Sequence, residues 1–190
     1  NGIEKARMIL DTKESGIKRI TAKTQRVILP RLMNAIMLFL AMLALCQQIG
    51  VSISAFVLDF SNAFWQVPIR RDEQRFFCAQ TTIKGKRKYL AFTRAAQGSG
   101  NAPLLFSRVI SLVMRLTQAL FPPSVVRLMC YVDDPLAIIR GTEEERNITA
   151  ATIILVWEAL GFGLAYPKGQ LAQKVTWIGG TLEIHTDSIT

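Results

Sequence analysis

The chain has 190 residues, 50% of them hydrophobic and 19% charged, which excludes a disordered polymer and fits one domain or a compact core with a small partial lobe. Its formal net charge of +9 favours a polyanionic partner, because cationic side chains release the counterions condensed on phosphates. A basic soluble protein with no such partner is the competing reading of charge alone.

In chain order, 1–30 mixes basic and short apolar stretches and reads as the end of an upstream lobe; Lys5, Arg7, Lys13, Lys18, Arg19, Lys23, Arg26 and Arg31 crowd the start of the chain. Leu32–Gln48 reads as a buried helix between Pro30 and Gly50. Its apolar run Ala35–Cys46 is too short to span a bilayer, so no membrane association is expected. Ala55–Asp59 is an apolar strand ending in an acid. Phe76–Gln80 and Tyr89–Thr93 flank the turn signal Lys84–Gly85–Lys86, which predicts paired strands; Lys84, Lys86, Arg87 and Lys88 form a second basic cluster there. Leu105, Val109, Leu112, Val113 and Leu116 recur at helical spacing within Asn101–Leu120, which Pro122 and Pro123 end.

Val126–Val132 and Leu136–Ile139 read as strands around Asp133–Asp134. Thr142 with Glu145 three residues later predicts a capping box opening a helix to about Leu160, stopped by Gly161–Phe162–Gly163. Short strands follow near Leu164–Tyr166, Val175–Ile178 and Thr181–Ile184, with a Gly179–Gly180 turn between the last two. The order predicts an α+β fold, helices packed on one face of an antiparallel sheet. Cys46, Cys78 and Cys130 are odd in number and form no CxxC pair, and His185 is the lone histidine. A disulfide framework and a structural zinc centre are therefore not expected. Buried free thiols in a reducing intracellular compartment, cytoplasm or nucleus rather than secretion, are. The chain opens on Asn1 with no signal peptide, and the expectation is a segment of a longer protein.

The strongest chemical signal is Tyr131–Val132–Asp133–Asp134 at a predicted hairpin tip. Two adjacent carboxylates repel unless a cation or solvent relieves them; alone, such a pair is more often a plain turn. Asp59 adds a third carboxylate at the end of an apolar strand, where an unpaired charge is expensive. Oxygen-rich sites of this kind suit magnesium.

These residues carry a resemblance. Leu58–Ile69 (LDFSNAFWQVPI) resembles motif A of reverse transcriptases, Gln97–Phe106 (QGSGNAPLLF) motif B, and Tyr131–Asp134 motif C. Leu160–Leu164 with Lys168 is similar to motif D, Trp177–Leu182 to the primer-grip hairpin, and Arg7–Asp11 to the fingers segment ahead of motif A. Their order and spacing, from Arg7 to Ile184, are more specific than any one of them.

The resemblance implies a polymerase palm over 31–190, including the primer-grip hairpin, with a partial fingers segment over 1–30. It implies an RNA-directed DNA polymerase working with two Mg2+ ions, or Mn2+ in their place, on an RNA or DNA template, a primer strand and deoxynucleoside triphosphates. Asp59, Asp133 and Asp134, with the Phe60 carbonyl, would hold the metals, and Lys168 would protonate the leaving pyrophosphate. Arg7, Phe60, Ala63, Phe64, Gln97 and Gly98 would form the nucleotide pocket, the Phe64 ring excluding a 2′-hydroxyl. Trp177, Ile178 and Gly179 would seat the primer. Pro135 after Asp134 departs from the pattern and removes a backbone donor from the hairpin. An RNA-dependent RNA polymerase palm and an inactive nucleic-acid-binding remnant of a retroelement are the alternatives.

Overall fold

The structure, a computed structural model, describes residues 9–12, 14–20 and 25–190. In chain order its elements are α1 (Ile17–Ile20), α2 (Leu32–Ile49), β1 (Ser52–Val57), β2 (Cys78–Ile83), β3 (Lys86–Ala91), α3 (Ala102–Ala119), β4 (Val126–Tyr131), β5 (Asp134–Gly141), α4 (Glu143–Ala159), β6 (Gln170–Ala172), β7 (Lys174–Trp177) and β8 (Gly180–Glu183). They fall into two compact units, Asn1–Val27 with Asn62–Ser107, and Ile28–Ser61 with Arg108–Thr190. The chain thus leaves the second unit after Ser61 and re-enters it part-way along α3.

The second unit is built on an antiparallel sheet ordered β4-β5-β1-β6. Both central strands are covered on both faces. Ile53, Ala55 and Val57 of β1, with Leu136 and Ile138 of β5, join a core cluster with α2 and the β7–β8 hairpin. The alternate residue Phe56 stacks on Trp157 of α4, ring centroids 6.2 Å apart. The α+β class and the antiparallel sheet are as expected. The helices, however, divide between the two faces, because β1 is apolar at every position from Ala55 to Val57 rather than alternating.

Helix α2 buries Ala35, Phe39, Met42, Leu43 and Cys46, the spacing of one helical face. Gly50 closes it in the left-handed region at φ 69°, its N–H donating to the Cys46 carbonyl at 2.9 Å. Helix α4 opens on the predicted capping box: Glu145 N–H donates to Thr142 Oγ1 at 3.3 Å, and Thr142 N–H to Glu145 Oε2 at 2.7 Å. Trp157 is fully buried and its indole N–H donates to Thr117 Oγ1 of α3 at 2.9 Å.

Three boundaries differ from the sequence reading. β1 ends at Val57, leaving Asp59 beyond regular pairing. The strand expected at Leu164–Tyr166 is reduced to one bridge, Phe60 with Leu164, followed by a 3-10 turn at Tyr166–Lys168; Pro167 within it cannot donate to a ladder, and pairing with β1 is made by β6 instead. The β7–β8 turn is Ile178–Gly179, at φ 42° and 81°, since Trp177 already pairs with Gly180. Gly180 is used otherwise: a Cβ there would lie 2.9 Å from the Leu32 side chain.

In the first unit, β2 and β3 form a two-stranded hairpin with Lys84–Gly85 as its turn, at φ 50° and 71°. Among the described residues no helix is long and apolar enough to cross a membrane. The three cysteines are free; Cys46 is buried, but Cys78 is exposed at the start of β2.

Candidate active site

Strand register assembles the site. Val57 pairs with Leu136 of β5 on one side and Gln170 of β6 on the other. Residues two positions on share a face in an antiparallel pair, so the next set on that face is Asp59, Asp134 and Lys168. Phe60 N–H donates to the Asp133 carbonyl at 3.1 Å and Ala165 N–H to the Asp59 carbonyl at 2.9 Å, which hold the strand end in this register. Lys168 Nζ reaches Asp59 Oδ2 as an ion pair. Pro135 does not disturb the hairpin: pairing runs on through Cys130 with Pro135, and the Pro135 carbonyl accepts from Leu58 N–H.

The β4–β5 tip is a two-residue turn, Val132–Asp133, closed by Tyr131 and Asp134. Val132 sits at φ 56°, an unfavourable position for a β-branched residue, costing about 1–3 kcal/mol and typical of sites where geometry is imposed. The Cys130 thiol donates to the Val132 carbonyl at 3.3 Å. Burial, then the charges of Asp133 and Asp134, push that thiol's pKa far up, so it stays protonated and able to donate. Burial also raises the Asp134 carboxyl above its ordinary range.

The β7–β8 hairpin braces the tip from the same face. Trp177 is 1% exposed, and its indole N–H donates to the Asp134 carbonyl at 3.0 Å. A cavity of about 440 Å³ opens here, lined among others by Asp59, Asp134, Lys168, Gln170, Trp177 and Ile178. Gln170 shapes its wall by bonding both backbone groups of Thr176, at 2.9 and 3.1 Å. Among the described residues no three acidic, histidine or cysteine side chains gather into a metal cage; Asp59 is instead neutralised by Lys168.

The remaining expected residues belong to the first unit or lie outside the described residues, as Arg7 does. Phe64 stands in a 3-10 turn, Ala63–Gln66, with its ring edge-on to Phe106 at 5.7 Å; Ala63 is buried. Gln97 and Gly98 are tied to the chain start: Leu10 N–H donates to the Gln97 carbonyl at 2.8 Å, and Thr12 Oγ1 to the Gly98 carbonyl at 3.0 Å. The close backbone approach that Gly98 permits is therefore to Leu10.

The family profile described as reverse transcriptase (RNA-dependent DNA polymerase) matches residues 1–182. This chain belongs to the reverse transcriptase family. Similar proteins include the Gag-Pol polyprotein of avian reticuloendotheliosis virus, 30% identical over 70% of this chain. The Gag-Pol polyprotein of gibbon ape leukemia virus is 31% identical over 67%. A solved structure of the foamy viral protease-reverse transcriptase in complex with RNA/DNA hybrid aligns at a TM-score of 0.52 and 25% identity over 68% of this chain and 16% of that one. The chain spans 11% and 8% of the two polyproteins. In this reverse transcriptase sequence, the motifs pointed to the carboxylates but not to Cys130, Gln170 or Thr176. The first is visible only as a thiol two positions before the turn, and the other two carry no signal until β6 is paired with β1 and β7 with β8.

Proposed function

We propose that this chain is the catalytic core of an RNA-directed DNA polymerase, adding deoxynucleotides to a primer on an RNA or DNA template. The observation that carries the reading is the register that sets Asp59 across from Asp134 and beside the Asp133 turn, in a chain of the reverse transcriptase family. The donor set is all oxygen, three carboxylates and the Phe60 carbonyl, and its chemistry fits Mg2+ or Mn2+. That Asp59 already binds an ammonium fits a position that takes positive charge. Asp59, Asp133, Asp134 and Phe60 would hold two such ions, which when bound stabilise the charge on the attacking and leaving oxygens.

The chain's own groups do the rest. Lys168, released from Asp59, delivers a proton to the leaving pyrophosphate. Phe64 presents a ring where a 2′-hydroxyl would stand, with Ala63, Gln97 and Gly98 bordering the nucleotide and Arg7 pairing its phosphates. Trp177, Ile178 and Gly179 seat the primer end. The foamy viral relative holding an RNA/DNA hybrid supports template and primer as ligands. We assign 1–30 to fingers and 31–190 to palm, and the three free thiols suit a reducing compartment, cytoplasm or nucleus.

The test is magnesium-dependent primer extension on an RNA template by the full-length protein carrying this sequence, beside its Asp133→Asn variant. Incorporation should fall roughly a thousandfold in the variant, the worth of several kcal/mol of charge stabilisation. Equal activity in the variant, or an inert wild type, would sink the reading.

A further inference from the structure

The β2–β3 hairpin is exposed along its whole length. Every residue of β3 is solvent-exposed, and no residue of β2 is buried. Between Cys78 and Ala91 stand Lys84, Lys86, Arg87 and Lys88 with no acidic residue, and among the described residues none of the four takes part in an ion pair. A two-stranded ribbon uncovered on both faces is marginal in water by itself. A ribbon of one sign of charge invites a polyanion.

Register tells the faces apart. Lys86 and Lys88 share one face with Ile83 and Thr81; Arg87 and Tyr89 share the other with Thr82 and Gln80. Tyr89 is 69% exposed, a flat ring beside a guanidinium on a polar ribbon. At the ribbon's base, where Phe92 N–H bonds the Phe77 carbonyl at 2.8 Å, Phe76 is 67% exposed with the Arg75 guanidinium 4.8 Å from its ring centre. Open aromatics interleaved with cations match bases that are free to stack and phosphates that are free to pair. A duplex keeps its base faces covered, and a second copy of the ribbon would set like charge against like.

We propose that the β2–β3 ribbon binds single-stranded nucleic acid, with Tyr89 stacking on a base, Arg87 beside it pairing a phosphate, and Lys86 and Lys88 on the opposite face neutralising phosphates where the strand passes the ribbon's edge. This rests on the nucleic-acid reading above and adds an element that the motifs do not contain.

The experiment measures anisotropy of fluorescein-labelled oligo(dT) and of a blunt duplex with the full chain, in EDTA and without nucleotide. Tyr89→Ala should bind oligo(dT) about tenfold more weakly and the duplex unchanged, with Tyr89→Phe restoring the affinity. Replacing Lys86, Arg87 and Lys88 together by Gln should flatten the slope of log affinity against log salt on oligo(dT) by about 2. Wild-type binding by Tyr89→Ala, or equal loss on both probes, overturns the proposal. Because neither metal nor nucleotide is present, a failure of the polymerase reading would leave these results untouched. A failure here would leave the Asp133→Asn comparison standing.

Discussion

At the scale of single residues, Gly98 is the position where backbone geometry is least negotiable. It sits at φ 96°, and a Cβ there would fall 2.2 Å from the Leu10 carbonyl oxygen and 2.9 Å from its nitrogen. Backbone cannot rotate away as a side-chain end can, so Gly98→Ala must both strain its own φ and push the Leu10 segment off. The two costs together come to roughly 2–4 kcal/mol. Chemical denaturation should show a lower midpoint at unchanged slope; an unchanged midpoint would mean the segment parts from the loop at no cost. That Gly98 belongs to a functional motif was legible from Gln97–Phe106. What it approaches was not, because the partner is far away in sequence and leaves no local pattern. Asp59 shows the same limit. Its position at an apolar strand end was readable, whereas its ion pair with Lys168 depends on β6, which the sequence reading missed.

At the scale of elements, local signals served best where the structure is local. The Thr142–Glu145 box opens α4 as its spacing predicts, and Gly50 ends α2. Edges set by distant pairing shifted: β1 lies earlier than its apolar run suggested, and the β7–β8 turn falls on Ile178–Gly179 because Trp177 pairs with Gly180. The capping box also yields a pH dependence. Hydrogen bonds from Thr142, backbone first and then side chain, hold the Glu145 carboxyl below the ordinary glutamate range. The unfolded chain therefore binds the proton more readily, and the contribution of the carboxylate is complete above the ordinary glutamate pKa and lost as pH falls through the lower folded value. Glu145→Gln should lower Tm at neutral pH, with the gap to wild type closing in acid, where both side chains are neutral. A gap independent of pH would show that the charge of Glu145 adds nothing to the cap.

At the scale of the molecule, the division into two units was the least legible feature. The chain crosses between them after Val27, after Ser61 and again within α3, and nothing in the periodicity of Ala102–Ala119 marks the last crossing. Charge along the chain does follow the units, since Lys5–Arg26 and Lys84–Lys88 both fall in the first, but burial does not show in the sequence, because it depends on which strands find cover. β1 and β5 pair with each other between neighbours on both sides and are buried on both faces, whereas β2 and β3 pair only with one another and stay exposed. Local opening costs little where few apolar contacts break, and approaches the whole unfolding free energy where the core must come apart. Native-state hydrogen exchange should therefore place the amides of Ala55–Val57 and Leu136–Ile139 at the slow limit, that of a domain worth about 5–15 kcal/mol. The paired amides of Cys78–Ile83 and Lys86–Ala91 should exchange several kcal/mol more easily, by opening of the ribbon alone. The ordering should respond to denaturant in the same way: low concentrations accelerate the slow set, whose opening exposes the core, and leave the ribbon nearly unchanged, since its opening uncovers little new surface. Equal protection in both sets, with the same denaturant response, would show that the ribbon unfolds only with the core and that its exposure hides a stronger coupling than its contacts convey.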